Sequence, residues 1–166
     1  MKKITLLIIT LTFTLSVSSQ TIVDTAVSNK DFSTLVTALK AADLVGALSG
    51  NGPFTVFAPN NAAFAKIDSE TLSSLLKPVN VKALSNILTY HVVSGKLLAA
   101  DVANALKAGE GKAKLKSLNG QELTAILKND KIYLIDTKGG MSEIIATDVI
   151  GTNGVIHIID TVVMPE

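Results

Sequence analysis

The sequence predicts one α+β domain, in which an antiparallel β-sandwich or wedge packs against several helices on one side. Two observations favour this class. Apolar residues recur with the helical period of about 3.6 in the first half of the chain, and the period changes to about 2 from Lys112 onward. The chain has 166 residues, of which 48% are apolar, so it can bury one core but is short for two domains.

Helical signals dominate the chain up to Gly109. Apolar residues at positions i, i+3, i+4 and i+7 predict a helix over residues 32–39, and a short helical segment follows at 43–48. Three further helices should begin after residues whose side chains can accept a hydrogen bond from the first turn, namely Asn60, Asp68 and Asn80. A last helix is predicted around Val102 and Leu106.

Strands are predicted in the remaining apolar runs. Their ranges are 54–57, 112–116, 123–127, 132–135, 144–146 and 155–159. Asn119-Gly120 is a strong signal for a hairpin turn between the second and third of these strands. The last strand is apolar on both faces, which is typical of a strand inside a sandwich.

The first nineteen residues have the features of a secretory signal peptide. Lys2 and Lys3 precede an apolar stretch, and Val17 and Ser19 are suitably spaced for cleavage before Gln20. An uncleaved membrane anchor is the alternative, but the apolar stretch has about 14 residues whereas a spanning helix needs roughly 20. We therefore expect a signal peptide at 1–19 and a single exported domain at 20–166, periplasmic or extracellular, with no membrane span after cleavage.

Composition excludes several classes of function. Cysteine is absent, which removes disulfides, thiolate nucleophiles and cysteine-ligated metals. All fifteen basic residues are lysines, and removing the two before residue 20 leaves thirteen against fourteen acidic residues, a net charge of −1. This balance gives no electrostatic reason to expect nucleic acid as a partner. No cofactor or metal site is predicted.

Catalytic motifs are also missing. Ser74-Leu75-Leu76-Lys77 has the S-x-x-K spacing of penicillin-recognising serine enzymes, but the S-D-N and K-T-G elements do not accompany it. Lys77 precedes Pro78, so the helix that would direct the lysine toward the serine ends there. We expect no catalytic residues and no hydrolase activity.

The two histidines lie among apolar residues. His157 is flanked by Ile156 and Ile158, and Asp160 at i+3 in a strand points to the opposite face. A buried, hydrogen-bonded structural histidine is therefore predicted there, and the same interpretation is favoured for His91.

Two long motifs resemble a known family. Residues 54–64 read FTVFAPNNAAF, and residues 153–165 read NGVIHIIDTVVMP. Together they closely resemble the two signature motifs of the fasciclin domain, in the expected order and separation. Tyr90-His91 in NILTYHVVSGKL resembles the tyrosine–histidine segment of that family, and the similarity extends from about Thr21 to Pro165.

The resemblance implies a fasciclin-like fold and a secreted, non-catalytic adhesion or matrix-interaction module. Its partner would be a cell-surface or matrix protein or a polysaccharide, and the protein itself is expected to be a monomer. Tyr90 and His91 are the candidate binding residues that the resemblance indicates. They directly follow a helix that should end at Leu88 and lie within an apolar strand, so we expect them to act on stability before they act on binding.

A second candidate site follows from spacing. Lys112, Lys114 and Lys116 are two residues apart, so in a strand all three project from one face. They either form a solvated face that keeps a sheet edge from pairing with other chains, or a cationic stripe that contacts acidic glycans.

One other function remains open, a periplasmic protein that binds a small ligand or has hydrolytic activity. A pocket with convergent polar groups would favour this alternative, whereas an exposed patch without such a pocket would favour adhesion.

Overall fold

The computed structural model describes residues 20–166, so the predicted signal peptide lies outside the described residues. This part of the chain contains the helices α1 Ile22–Ser28, α2 Ser33–Ala41, α3 Val45–Ser49, α4 Asn61–Phe64, α5 Ser69–Leu75, α6 Val81–Tyr90 and α7 Ala99–Ala108. Short 3₁₀ turns at Lys30–Phe32 and Pro78–Asn80 precede α2 and α6. None of the helices between residues 20 and 166 combines the length and hydropathy that crossing a bilayer requires.

Seven strands of the described residues form one sheet. They are β1 Phe54–Pro59, β2 Val92–Ser94, β3 Lys112–Lys116, β4 Glu122–Lys128, β5 Lys131–Ile135, β6 Met141–Gly151 and β7 Gly154–Ile159. Their order across the sheet is β2-β1-β7-β6-β5-β4-β3. The two edge strands approach each other at a bridge between Val93 and Ser117, so the sheet curls into a nearly closed barrel.

The α+β class is confirmed, but the sheet is mixed rather than fully antiparallel. β1 runs parallel to β7, from Phe54 opposite Gly154 to Pro59 opposite Ile159. The other strand pairs are antiparallel. The antiparallel neighbours from β3 to β7 are joined by short turns, whereas the parallel partners β1 and β7 lie about a hundred residues apart and no local pattern connects them.

The pair β1 and β7 divides the core into two clusters. On one side, Ala58 and Ile156 pack against apolar residues of helices α1 to α6. On the other side, Phe57 and Ile159 face the interior of the curled sheet, where Val102 of α7 joins them. The predicted burial of the last strand on both faces is confirmed.

Most of the predicted helix starts agree with the structure. Asn60 and Asp68 each accept a hydrogen bond from the backbone N–H three residues further on, at 2.8 and 2.9 Å. Helix α6 does begin after Asn80, but the Asn80 side chain does not cap it, because its Nδ2 instead donates to the carbonyl oxygen of Ser74 at 2.8 Å. Asn80 is near-helical (φ −104°, ψ 12°), whereas a capping residue is normally extended.

Helix α1 was not predicted from apolar periodicity, and the strand expected at Tyr90 and His91 begins only at Val92, as β2. α1 is only seven residues long, and its N-terminus is a capping box in which Thr21 and Asp24 exchange hydrogen bonds. β2 has three residues and follows α6 after a single residue.

Asn153, in the turn before β7, connects three segments that are distant in sequence. Its Oδ1 accepts a hydrogen bond from the backbone N–H of Ile22 at 3.0 Å, at the start of α1. Its Nδ2 donates to the carbonyl oxygens of Leu48 and Gly50 at 2.8 and 2.9 Å, at the end of α3. Its carbonyl oxygen accepts from the N–H of Phe54 at 3.0 Å. One side chain thus holds α1 and α3 against the central strands.

Replacing Asn153 with alanine is expected to lower the free energy of unfolding by about 2–4 kcal/mol, because three backbone groups lose their partner at once. Urea unfolding measures the change. Asn104→Ala in α7 is the matched control, since Asn104 is exposed and alanine is the better helix former. Equal stabilities for the two variants would contradict the role given to Asn153.

Candidate functional site

Tyr90, the first candidate residue, is completely buried. It is the last residue of α6, and its ring lies in the core cluster inside the curled sheet. Its hydroxyl donates a hydrogen bond to the carbonyl oxygen of Glu122 at 3.0 Å, at the start of β4. Burial raises the pKa of Tyr90, so the hydroxyl stays protonated and remains a donor.

His91 is also buried, with 2% of its surface exposed. Its Nδ1 lies 2.8 Å from the carbonyl oxygen of Ile87, and its Nε2 accepts a hydrogen bond from the N–H of Val163 at 3.2 Å. These partners assign the proton to Nδ1, since a carbonyl can only accept. Desolvation by burial lowers the pKa of His91 to about 4, so the ring is neutral at pH 7.

The local structure around Tyr90 and His91 differs from the prediction. Helix α6 continues past Leu88 to Tyr90, and His91 closes its last turn, with its N–H donating to the carbonyl oxygen of Leu88 at 3.2 Å. The strand begins only at Val92. The Tyr90 side chain, in the last turn of the helix, belongs to the core cluster inside the curled sheet. Neither candidate side chain offers surface to a partner, and a role for them in binding stays a prediction.

The structural interpretation of His157 is confirmed. The side chain is buried and stacks on Phe57, with ring centroids 5.6 Å apart. Its Nε2 lies 2.7 Å from the carbonyl oxygen of Leu97, and its Nδ1 accepts from the N–H of Asp148 at 3.4 Å. Asp148 in turn accepts a hydrogen bond from the N–H of Ala99 at 2.8 Å, at the start of α7. His157 and Asp148 therefore fix α7 to the sheet.

The three lysines of β3 project from one face of the strand, as the spacing predicts. All three are exposed, while Ala113 and Leu115 between them are buried. Lys114 Nζ lies 3.0 Å from a carboxylate oxygen of Glu122. Within residues 20–166, neither Lys112 nor Lys116 has a carboxylate oxygen within 4.0 Å of its Nζ.

Cross-strand pairing places these lysines in rows with side chains of β4, β5 and β6 that share their face. One row runs Lys112, Ile126, Tyr133 and Glu143, and the next runs Lys114, Thr124, Ile135 and Met141. We call this surface the outer sheet face; its members are Lys112, Lys114, Lys116, Glu122, Thr124, Ile126, Lys128, Lys131, Tyr133, Ile135, Met141 and Glu143. All of them are exposed or half-buried, so no other element of the described chain covers this face.

The outer sheet face is locally cationic. It carries five lysines and two glutamates, whereas residues 20–166 as a whole have a net charge of −1. Lys131 Nζ lies 2.7 Å from Glu143, and the hydrogen bond and charge of that carboxylate raise the pKa of Lys131. The Tyr133 hydroxyl donates to the other carboxylate oxygen of Glu143 at 3.3 Å, which holds the tyrosine ring in place.

The sequence pattern predicted the lysines of this surface but not its apolar centre. Ile126, Tyr133 and Ile135 are half-buried, and Met141 is 41% exposed. The alternation Lys131-x-Tyr133-x-Ile135 was the available signal. It becomes informative only once the register between β3, β4 and β5 is known, because that register decides which apolar residues lie beside the lysines.

Two cavities bear on the question of a ligand site, one very small and one open to solvent. A cavity of about 20 Å³ lies between α1, α2 and the sheet, is lined by apolar residues such as Ile22, Leu39 and Ile156, and holds roughly one water molecule. A groove of about 520 Å³ follows the line where β2 and β3 approach, with Leu97 and Leu118 along it and Lys114 and Lys116 at its side.

The structure bears on two of the chemical possibilities raised by the sequence, a metal site and the Ser74–Lys77 spacing. Residues 20–166 contain no group of three or more histidine, aspartate or glutamate side chains that could hold a metal ion. Ser74 lies in the last turn of α5, whereas Lys77 is extended beyond the helix end. The Ser74 hydroxyl oxygen accepts from Asn80 Nδ2 at 3.2 Å.

Comparisons with known proteins agree with the motifs. The model of the family described as "Fasciclin domain" matches residues 30–165. The chain is similar to Protein sll1483 of Synechocystis, with 50% identity over 148 residues that cover 89% of this chain and 75% of the relative. It is 35% identical to transforming growth factor-beta-induced protein ig-h3 of Sus scrofa, over 87% of this chain and 19% of that protein.

A solved structure shows the same fold. It is a FAS1 domain pair from the insect cell adhesion molecule fasciclin I, with a TM-score of 0.77 and 18% identity. The similarity covers 87% of this chain and 51% of that one.

The pKa of His91 predicts how stability depends on pH. The ordinary value of 6.5 applies to the unfolded chain, so between pH 6.5 and 4 the unfolded state binds the proton and the folded state does not. The contribution of His91 to the free energy of unfolding is therefore complete above pH 6.5, and about 3 kcal/mol of it is lost as the pH decreases toward 4. Urea unfolding of wild type and His91→Gln across this range isolates the contribution of His91. The difference between the free energies of unfolding of the two proteins should become smaller at low pH. A difference that does not depend on pH would contradict the lowered pKa of His91.

Substitutions at both candidate residues are expected to lower stability. Tyr90→Phe removes only the hydrogen bond to Glu122 and should cost about 1 kcal/mol. His91→Ala removes two hydrogen bonds and leaves a cavity, and should cost about 3 kcal/mol or more. Thermal melts of both variants measure the loss of stability. If both variants melt like wild type but no longer bind the partner, Tyr90 and His91 act on binding before they act on stability.

Proposed function

The chain belongs to the fasciclin domain family, and from this premise we propose that it is a secreted, non-catalytic adhesion or matrix-interaction module. In this proposal residues 1–19 are a signal peptide, and residues 20–166 act as one monomeric domain in the periplasm or outside the cell. The partner is a cell-surface or matrix protein or a polysaccharide. The fold neighbour from an insect cell adhesion molecule supports the adhesion role.

The observation that carries the proposal is the uncovered outer sheet face. Most faces of the sheet are occupied, since helices cover one side of β1 and β7 and the second core cluster fills the interior. The outer sheet face instead presents an apolar centre flanked by lysines. A broad surface of this kind suits a macromolecule rather than a small molecule.

The cavities support a surface function over a small-ligand function. A small-molecule site normally has a volume of several hundred Å³, whereas the cavity between α1, α2 and the sheet has about 20 Å³ and an apolar lining. The larger groove between β2 and β3 is open to solvent and shares Lys114 and Lys116 with the outer sheet face. It therefore fits an extension of the same interaction surface.

Tyr90 has a place in this proposal as a positioning residue. Its hydroxyl holds the backbone of Glu122 at the start of β4, and the Glu122 side chain pairs with Lys114 on the outer sheet face. Removing the hydroxyl would loosen one edge of the surface without touching the partner. His91 acts further away, on the C-terminal segment through Val163.

The test is a binding screen of residues 20–166 against immobilised matrix proteins and polysaccharides. We expect binding to at least one probe, weakened by Met141→Asp because this change places a carboxylate within the outer sheet face. Val79→Asp is the matched control: Val79 is 84% exposed but lies in the Pro78–Asn80 turn, away from that face.

Two results would contradict the proposed function. One is the absence of binding to every probe, and the other is an equal loss of binding in both variants. An ester- or glycoside-hydrolysing activity that survives repurification and disappears in Ser74→Ala would instead establish the hydrolytic alternative.

A further inference from the structure

We propose that the outer sheet face binds a linear acidic polysaccharide, a polyuronate, whose chain lies across strands β3, β4 and β5. The inference rests on the proposed function and names the partner class for the same surface. It follows from the charge of this face, its apolar centre and its lack of concavity.

The charges of the face suit repeated carboxylates. Lys112 and Lys116 have no carboxylate partner within residues 20–166, so their ammonium groups are available. Alternate residues of a strand are roughly 7 Å apart, which makes β3 a row of regularly spaced point charges. A lysine ammonium lacks the planar fork that grips a single phosphate or carboxylate in two places, so a useful affinity requires several anions on one chain.

The apolar centre suits sugar rings rather than a polypeptide backbone. Ile126 and Tyr133 continue the row of Lys112, so an apolar platform lies beside the charges. A pyranose ring has a C–H face that packs on aromatic and aliphatic surface while its carboxylate points to the side. The Tyr133 hydroxyl is held by Glu143, so the ring is already oriented before any partner binds.

The face is a sheet surface rather than a pocket, which favours a polymer over a free sugar acid. A monosaccharide would contact only one or two exposed lysines, and salt would screen that weak attraction, whereas a polymer contacts several lysines at once. Glu122 competes with the partner, because its carboxylate lies 3.0 Å from Lys114. Removing that carboxylate should therefore strengthen binding, an effect that a merely structural role for Glu122 would not produce.

The experiment measures binding of residues 20–166 to immobilised polygalacturonate at low ionic strength, with poly-L-glutamate and neutral dextran as comparison polymers. We expect binding to polygalacturonate alone, and its loss as salt is added. The variant with Lys112, Lys114 and Lys116 all changed to Gln should bind about tenfold more weakly, consistent with three exposed charge contacts. The control, Lys40, Lys77 and Lys82 all changed to Gln, alters the net charge equally at exposed lysines elsewhere and should bind like wild type.

Two further variants separate the charges from the platform. Glu122→Gln should bind about two- to threefold more tightly, because one repulsive charge is lost and Lys114 is released. Tyr133→Phe, which keeps the ring but loses its hydrogen bond to Glu143, should weaken binding to polygalacturonate slightly, whereas Tyr133→Ala should weaken it more. Thermal melts of each variant show whether it folds.

Each contrary outcome overturns a defined part of the inference. If the β3 lysine variant and the control lysine variant bind polygalacturonate equally well, β3 has no role in binding. If wild type binds poly-L-glutamate as tightly as polygalacturonate, the surface is not specific for sugars and an acidic protein is the better partner. Absence of binding to polygalacturonate by wild type overturns the inference entirely, and the lysines are then only a soluble sheet edge. The screen of matrix proteins and polysaccharides is independent of this result, so the proposed function can stand when the polyuronate fails.

Discussion

The parallel pairing of β1 with β7 is the constraint on which the rest of the structure depends. Parallel strands are stable in proteins when both of their faces are covered. Helices α1 to α6 cover one face, and the curled sheet with α7 covers the other. The two strands also approach closely at Gly154, where a Cβ would collide with the Phe54 carbonyl oxygen. Because the available helices are used in this way, strands β3, β4 and β5 keep one face toward solvent.

Burial on both faces also explains why the two histidines can lie in apolar segments. Each ring has one nitrogen beside a backbone carbonyl and one that accepts from a backbone N–H, so each is satisfied as a neutral side chain. The proton is on Nδ1 in His91 and on Nε2 in His157, which the opposite arrangement of their partners dictates. The His91 ring connects α6 to the C-terminal segment, and the His157 ring connects β7 to the residues before α7, at points where a purely apolar residue would leave a backbone group unpaired.

The sequence predicted those parts of the fold that are encoded locally. The caps at Asn60 and Asp68 and the Asn119-Gly120 turn depend on neighbours within a few residues, and they agree with the structure. The two motifs of the fasciclin family identified the fold as a whole. Features that depend on distant partners could not be predicted, because they join segments that are far apart in the chain. They are the parallel pairing of β1 with β7, the three contacts of the Asn153 side chain and the hydrogen bond from α7 to Asp148. The candidate site followed the same rule, since β3 showed its lysines but its register with β4 and β5 decided their neighbours.

The placement of β7 between β1 and β6 has a consequence for the order in which the domain folds. Strand β1 has β2 on one side, and its other edge stays open until residues 154–159 exist. The helices can form their first turns early, but the strands on which they pack are incomplete until residues 154–159 are present. Closing a loop of about a hundred residues must precede the gain from the central contacts, which makes folding slow and concerted rather than progressive. Before residues 154–159 are present, β1 lacks its parallel partner and the helices lack half of the strand pair on which they pack.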